Sequence, residues 1–264
     1  MYERASAPKS IGGVLDDAIR LYRQVFPKVV PLNIVAAVAL AFPTLYLGLQ
    51  AANLQKGDPT AAFALFKSPS VWITYLLIVL VALVVQSALI SAIDTFANGH
   101  EPTVGAAFAV GLSRLPRLVV AGIVIALIVA VGFVLLVIPG IYLWGIFQLV
   151  FIAIIVDNVG AFESLGVSSR LIKGNWWRAA TVFTVAVIIL IVLSFIGGFV
   201  NGIAAVTLGL DSSVAVVIRT VIGAIMNILI IPLLPCFQLA MFYDLKLRHD
   251  GGDLAARVDT LART

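Results

Sequence analysis

The sequence predicts an all-α fold, a polytopic membrane bundle of about six transmembrane helices with amphipathic helices on its cytoplasmic surface. Three observations predict it. Of 264 residues, 62% are hydrophobic and 11% charged, and the mean hydropathy is +1.13, whereas a soluble domain is about half apolar and a quarter charged. Charge-free stretches such as 118–137 and 182–196 approach or reach the roughly 20 residues that cross a hydrocarbon core of about 30 Å. Basic residues also collect in alternate connectors, the mark of a membrane protein with a fixed orientation.

In chain order, residues 10–26 place Ile11, Val14, Leu15, Ala18, Ile19, Tyr22, Val25 and Phe26 on one helical face, with Asp16, Asp17, Arg20, Arg23 and Gln24 largely opposite. Ser10 is the expected N-cap. Such a helix is expected in the cytoplasmic headgroup layer. The charges scattered through the first 27 residues argue against a cleavable signal peptide. Spans follow at 29–50 and 71–94, then a second surface helix at 103–116. Spans 118–138 and 140–156 are joined by Ile138-Pro139-Gly140-Ile141, where a tight re-entry is expected. A third surface helix at 160–175 precedes spans 179–205 and 215–242. Pro232 and Pro235 are expected to kink the last span; a broken helix that offers backbone groups to a substrate is the other reading. The lone Cys236 permits no intrachain disulfide and is expected to pack.

One side of this topology holds Arg4, Lys9, Arg20, Arg23, Lys28, Arg114, Arg117, Arg170, Lys173, Arg178, Lys246, Arg248, Arg257 and Arg263, and the other only Lys56, Lys67 and Arg219. The positive-inside rule then puts both termini in the cytoplasm. Trp72, Trp144, Tyr46 and Tyr142 fall at expected outer ends, and Trp176, Trp177, Tyr22 and Tyr243 at inner ends. The pI of about 9.4 reads as this bias. Nucleic-acid binding is not expected, because no basic face interleaved with aromatics sits on a soluble module.

The surface helices also suggest a repeat. Thr103-Val104-Gly105-Ala106-Ala107-Phe108 echoes Ser10-Ile11-Gly12-Gly13-Val14-Leu15, and Leu115-Pro116-Arg117 echoes Phe26-Pro27-Lys28. Residues 160–178 give a fainter third copy. We read three copies of surface helix, outward span and inward span. The plainer account is that membrane hairpins commonly reuse basic amphipathic starts, small residues and proline.

The even-numbered spans each carry a glutamine and then an aspartate: Gln86 with Asp94, Gln148 with Asp157, and Gln238 with Asp244. Intramembrane polar groups are costly and so attract functional attention. The aspartates fall near the cytoplasmic interface, where they can cap a surface helix, pair with Arg20, Arg114 or Arg170, or meet water. The glutamines lie deeper and must find interhelical partners or line a polar cavity. Arg219 is expected to snorkel outward or pair with Asp211; a ligand contact is the lesser reading. The basic set Arg20, Arg23, Lys28, Arg114, Arg117, Arg170, Lys173 and Arg178 supplies candidate headgroup contacts. No catalytic residue, cofactor site or metal site is expected: His100 and His249 lack partners at metal-ligand spacing, and neither a Walker loop nor a Gly-x-Ser-x-Gly elbow occurs.

Ile138-Pro139-Gly140-Ile141-Tyr142-Leu143, Ile155-Val156-Asp157-Asn158, Ala161-Phe162-Glu163-Ser164 and the run from Ser168 to Trp176 resemble the membrane domain attached to some bacterial glycerophosphodiester phosphodiesterases. The ending Phe242-Tyr243-Asp244-Leu245-Lys246-Leu247-Arg248 is similar too. The resemblance implies six helices in a bacterial cytoplasmic (inner) membrane. It implies no hydrolase activity, because the phosphodiesterase is a separate soluble barrel for which this chain has neither room nor residues. Where the family often has glutamate before the third surface helix, this chain has Asp157.

The function expected is non-enzymatic: organising or sensing membrane lipids, through anionic headgroups on the cytoplasmic side, or a protein partner. Transport or lipid translocation along a polar path between the repeats is the alternative, and regulation of a separate hydrolase a third.

Overall fold

The computed structural model describes residues 4–52, 67–208 and 213–262. Every regular element among them is an α-helix: α1 (Ile11–Ala52), α2 (Pro69–Ala97), α3 (Val104–Leu135), α4 (Val137–Ile146), α5 (Val150–Val156), α6 (Ala161–Ile172), α7 (Trp176–Leu208), α8 (Ser213–Ile230) and α9 (Leu233–Ala262). Six helical stretches are long and apolar enough to cross a membrane. The all-α expectation holds, and the chain is a multi-pass membrane protein.

The expected division between surface helix and span does not hold for the first two copies. Residues 10–26 and 29–50 form one helix of 42 residues that runs through Pro27, Pro31 and Pro43. Residues 103–116 likewise continue through Pro116 into the following span. A proline inside a helix forfeits one hydrogen bond and commonly bends the helix. Ending the helix in lipid would leave several backbone groups without partners, which is the larger loss. The apolar face of 10–26 also does not lie in headgroups. Val14, Ala18, Leu21, Val25, Val29, Leu32 and Ala36 are all at most 2% exposed and form one buried stripe against the protein core. Ser10 does act at the N-terminus, its Oγ accepting from the Gly13 N–H at 3.1 Å. Thr103 plays the same part for Ala106.

Helices α3 and α4 meet at a single extended residue, Leu136 (φ −164°, ψ 149°). The re-entry expected at 138–141 thus comes earlier, and Pro139 sits in the first turn of α4, where its missing N–H deprives no carbonyl. Gly132 and Gly140 let the arms touch: a Cβ on Gly132 would lie 3.1 Å from the Gly140 Cα, and one on Gly140 2.5 Å from the Phe133 ring.

The segment expected as span four is interrupted at 147–149, between α4 and α5. Helix α6 folds back antiparallel along it, with Ser168 against Ile146 and Leu149 and Trp176 against Tyr142. Tyr142 and Trp176, expected at opposite membrane faces, consequently have ring centroids 5.5 Å apart. The aromatic-belt reading fails for this pair because the third surface segment packs on span four instead of leaving it. Gly99 and Gly174, both at φ 83°, end α2 and α6 in the left-handed conformation that glycine adopts without steric cost.

The core gathers the N-terminal two-thirds of α1, residues 85–97 of α2, all of α5 and the start of α9. From Cys236 to Leu245 every α9 residue is buried. Towards the other end of α2 the helices present large apolar side chains outward, among them Trp72, Ile73, Leu127, Val134, Ile188 and Phe195, as lipid contact requires.

Candidate functional site

Helix α9 ties one pole of the molecule together. Within four residues it presents Tyr243, Asp244 and Lys246, and each reaches a different part of the chain. The Tyr243 hydroxyl donates to Asp94 Oδ1 at the end of α2, and the Arg4 guanidinium lies 3.9 Å from the Tyr243 ring centroid. Asp244, 3% exposed, accepts from Arg178 Nε at 3.0 Å, Arg248 Nε at 2.9 Å and the Lys9 backbone N–H at 2.8 Å. Lys246 Nζ lies 2.6 Å from Asp157 Oδ1 just beyond α5. The three sequence-expected aspartates therefore share one pole, but with other partners than Arg20, Arg114 or Arg170. A fourth carboxylate, Asp17, pairs with Lys9 at 2.6 Å. Buried carboxylates need such charge-assisted contacts, since removal from water costs several kcal/mol per ion.

The three glutamines do not converge. Gln238 Nε2 donates to the Gln148 carbonyl at 3.1 Å and lies 3.2 Å from Gln148 Oε1. Gln86 is half-buried and has no hydrogen-bond partner among the described residues. The Gln148 contact belongs to a repair of the α4–α5 break. Helix interruption frees backbone groups that lipid cannot satisfy, and side chains take them up: Ser168 Oγ donates to the Ile146 carbonyl at 2.6 Å and accepts from the Leu149 N–H, while Trp176 Nε1 donates to the Tyr142 carbonyl. At the other end of α5, Arg114 donates to the Ile154 and Ile155 carbonyls. The interruption at Ile231 and Pro232 is served in the same way. Tyr22 Oη donates to Leu229 O at 2.7 Å, and Asn33 Nδ2 donates to Ile228 O at 3.1 Å.

Of the expected headgroup contacts, four are engaged inside the protein. Lys28 pairs with Glu101, Arg114 caps α5, Arg117 donates to Asn158, and Arg178 holds Asp244. Arg20, Arg23, Arg170 and Lys173 remain, all exposed and without a carboxylate partner among the described residues. Arg20 and Arg23 border a surface depression with Asp16, Ile19 and Gln24, and Arg170 and Lys173 border another with Arg248 and His249. Sequence reasoning missed Lys9, Ser168, Tyr243, Lys246 and Arg248. The run from Tyr243 to Arg248 was visible as polar chemistry at the end of an apolar stretch, but its partners lie 66 to 239 positions away.

Arg219 lies elsewhere. It borders a cavity of about 630 Å³ between α1, α7 and α8, with Thr44, Asn201, Thr220 and Asn227 among the polar groups on its wall. Asp211, its expected partner, falls outside the described residues. Among the described residues, no group of three or more His, Cys, Asp or Glu is placed to hold a metal ion.

Fold and site together define a multi-pass α-helical membrane protein in which Asp17, Asp94, Asp157 and Asp244 are held by internal partners at one pole. No known protein family, curated protein or solved structure matches the chain.

Proposed function

We propose that this protein is a non-enzymatic organiser of anionic lipid, seated in a bacterial cytoplasmic membrane with the charged pole and both termini on the cytoplasmic side. The observation that carries this reading is the sorting of charge at that pole. Asp17, Asp94, Asp157 and Asp244 are consumed by internal partners, whereas Arg20, Arg23, Arg170 and Lys173 stay exposed. Exposed Asp16 and Glu163 offset two of them. Anionic headgroups attract each nearby Lys or Arg by about 1 kcal/mol, so the remaining excess enriches such lipids around the pole. The sequence resemblance to the membrane domain of bacterial glycerophosphodiester phosphodiesterases supports the location, and the positive-inside bias supports the orientation.

The test is lipid selectivity. Full-length protein reconstituted in vesicles of phosphatidylcholine with a minority of spin-labelled phosphatidylglycerol should show an immobilised lipid fraction richer in the anionic lipid than the bulk. Replacing Arg20, Arg23, Arg170 and Lys173 together by glutamine should bring that fraction close to the bulk ratio. Selectivity unchanged in this variant refutes the reading.

A further inference from the structure

The cavity at Arg219 is separate from the charged pole. A Cβ at Gly48 would come 3.0 Å from Val216 Cγ1, and Tyr46 Oη donates to Ser70 Oγ at 3.0 Å, so the start of α8, the end of α1 and the start of α2 share one end. Asp94 and Asn98 mark the opposite end of α2. Arg219 lies one turn along α8 from Val216, about 4.5 Å of helix rise. It is thus set within a stretch whose neighbours are the apolar Val217, Ile218, Val221 and Ile222.

The polar wall of the cavity has unspent bonding capacity of a definite kind. Thr44 and Thr220 hydroxyls donate to carbonyls of their own helices, at Leu40 and Val216, and the Asn201 amide nitrogen donates to Gly197 O. What remains is the guanidinium of Arg219, the exposed amide of Asn227 and the buried, unpartnered Oδ1 of Asn201. Along α8, Arg219, Gly223 and Asn227 recur every four residues and so form one stripe two turns long. The rest of the wall is apolar: Ala37, Leu40, Ala41, Val216 and Ile231. A cation with five fork-arranged donors, a nearby amide and an oily flank match an anionic oxygen cluster carrying a hydrocarbon tail. The volume falls within the range of sites that enclose small ligands.

We infer that this cavity binds one phospholipid by its phosphate, with Arg219 as the anion contact, Asn227 beside it, and an acyl chain laid along Leu40, Ala41 and Val216. Asn201 Oδ1, an acceptor without a donor, favours a headgroup that carries a hydroxyl or ammonium group. The site differs from the pole in that it holds a single lipid in a shaped recess, not a diffuse ring.

Native mass spectrometry of the full chain in detergent, titrated with dioleoyl phosphatidylglycerol, phosphatidylcholine or inorganic phosphate, tests this. One phosphatidylglycerol per chain should bind ahead of phosphatidylcholine. Arg219→Gln should weaken that adduct about tenfold or more, the loss of a charge-assisted hydrogen bond, and Arg219→Lys should retain most of it. Gly223→Leu, whose Cβ meets nothing within 4 Å, should fill the recess and abolish the adduct without lowering the unfolding midpoint. The combined glutamine variant of the pole should leave it unchanged. Equal binding of phosphatidylcholine, wild-type binding by Arg219→Gln, or displacement of the lipid by millimolar phosphate would overturn the inference.

Discussion

Asp244→Asn removes one negative charge from a site that is 3% exposed and leaves the shape of the side chain in place. Two guanidinium groups lose their counterion: Arg178, 14% exposed, and Arg248, 31% exposed. Breaking a buried pair by neutralising one partner costs about 3 to 5 kcal/mol, because the other charge stays desolvated. Arg248 keeps enough water to be discounted and contributes only the small amount of an exposed i,i+4 pair. The Lys9 N–H can still donate to the asparagine carbonyl. The expected loss is therefore near the lower end, about 3 kcal/mol, and Arg248→Gln should cost about 1 kcal/mol or less. Unfolding of the detergent-purified protein by added dodecyl sulfate, followed by near-ultraviolet circular dichroism of its 4 tryptophans, measures both. Arg178→Gln combined with Asp244→Asn should recover part of the loss, since the stranded charge is then gone. Asp244→Asn within 1 kcal/mol of wild type would refute the argument that this carboxylate anchors the pole.

Two further perturbations test the packing by the same titration. Ser168→Ala strips a donor from the Ile146 carbonyl and an acceptor from the Leu149 N–H, and should cost about 1 to 3 kcal/mol; an unchanged midpoint would mean that the α4–α5 break is served by other groups. Gly140→Ala drives a methyl into the Phe133 ring and should cost about 1 to 3 kcal/mol, whereas Gly166→Ala, in open space on α6, should stabilise by up to about 1 kcal/mol. Equal effects of the two would show that Gly140 does not lie close against the Phe133 ring.

The helical, membrane-spanning nature of the chain was legible because it rests on composition and on runs of local sequence, and the α3–α4 hairpin because proline and glycine mark it. The N-cap at Ser10 was legible for the same local reason, and Thr103, its echo in the second copy, caps in the same way. What escaped was long-range. Nothing near Ser168 says that its hydroxyl closes a gap in a helix 22 positions earlier. The amphipathic stripe of 10–26 correctly identified which residues face inward, but periodicity cannot distinguish a lipid surface from a protein surface, and here α2, α8 and α9 supply the cover. The even spacing of glutamine and aspartate suggested equivalent environments. The structure gives Gln148 and Gln238 to each other, where the interruption of span four frees the Gln148 carbonyl, and leaves Gln86 without a partner among the described residues.

The hub on α9 also has a consequence for synthesis. Tyr243, Asp244 and Lys246 leave the ribosome after Asp94, Asp157 and Arg178, which therefore emerge without their eventual counterparts. During that interval the earlier helices can be inserted but not locked, and a nascent chain stalled before residue 243 presents unpaired charge of both signs to the insertion machinery. Closure of the bundle is thereby deferred until this helix has been made, after all the other described helices.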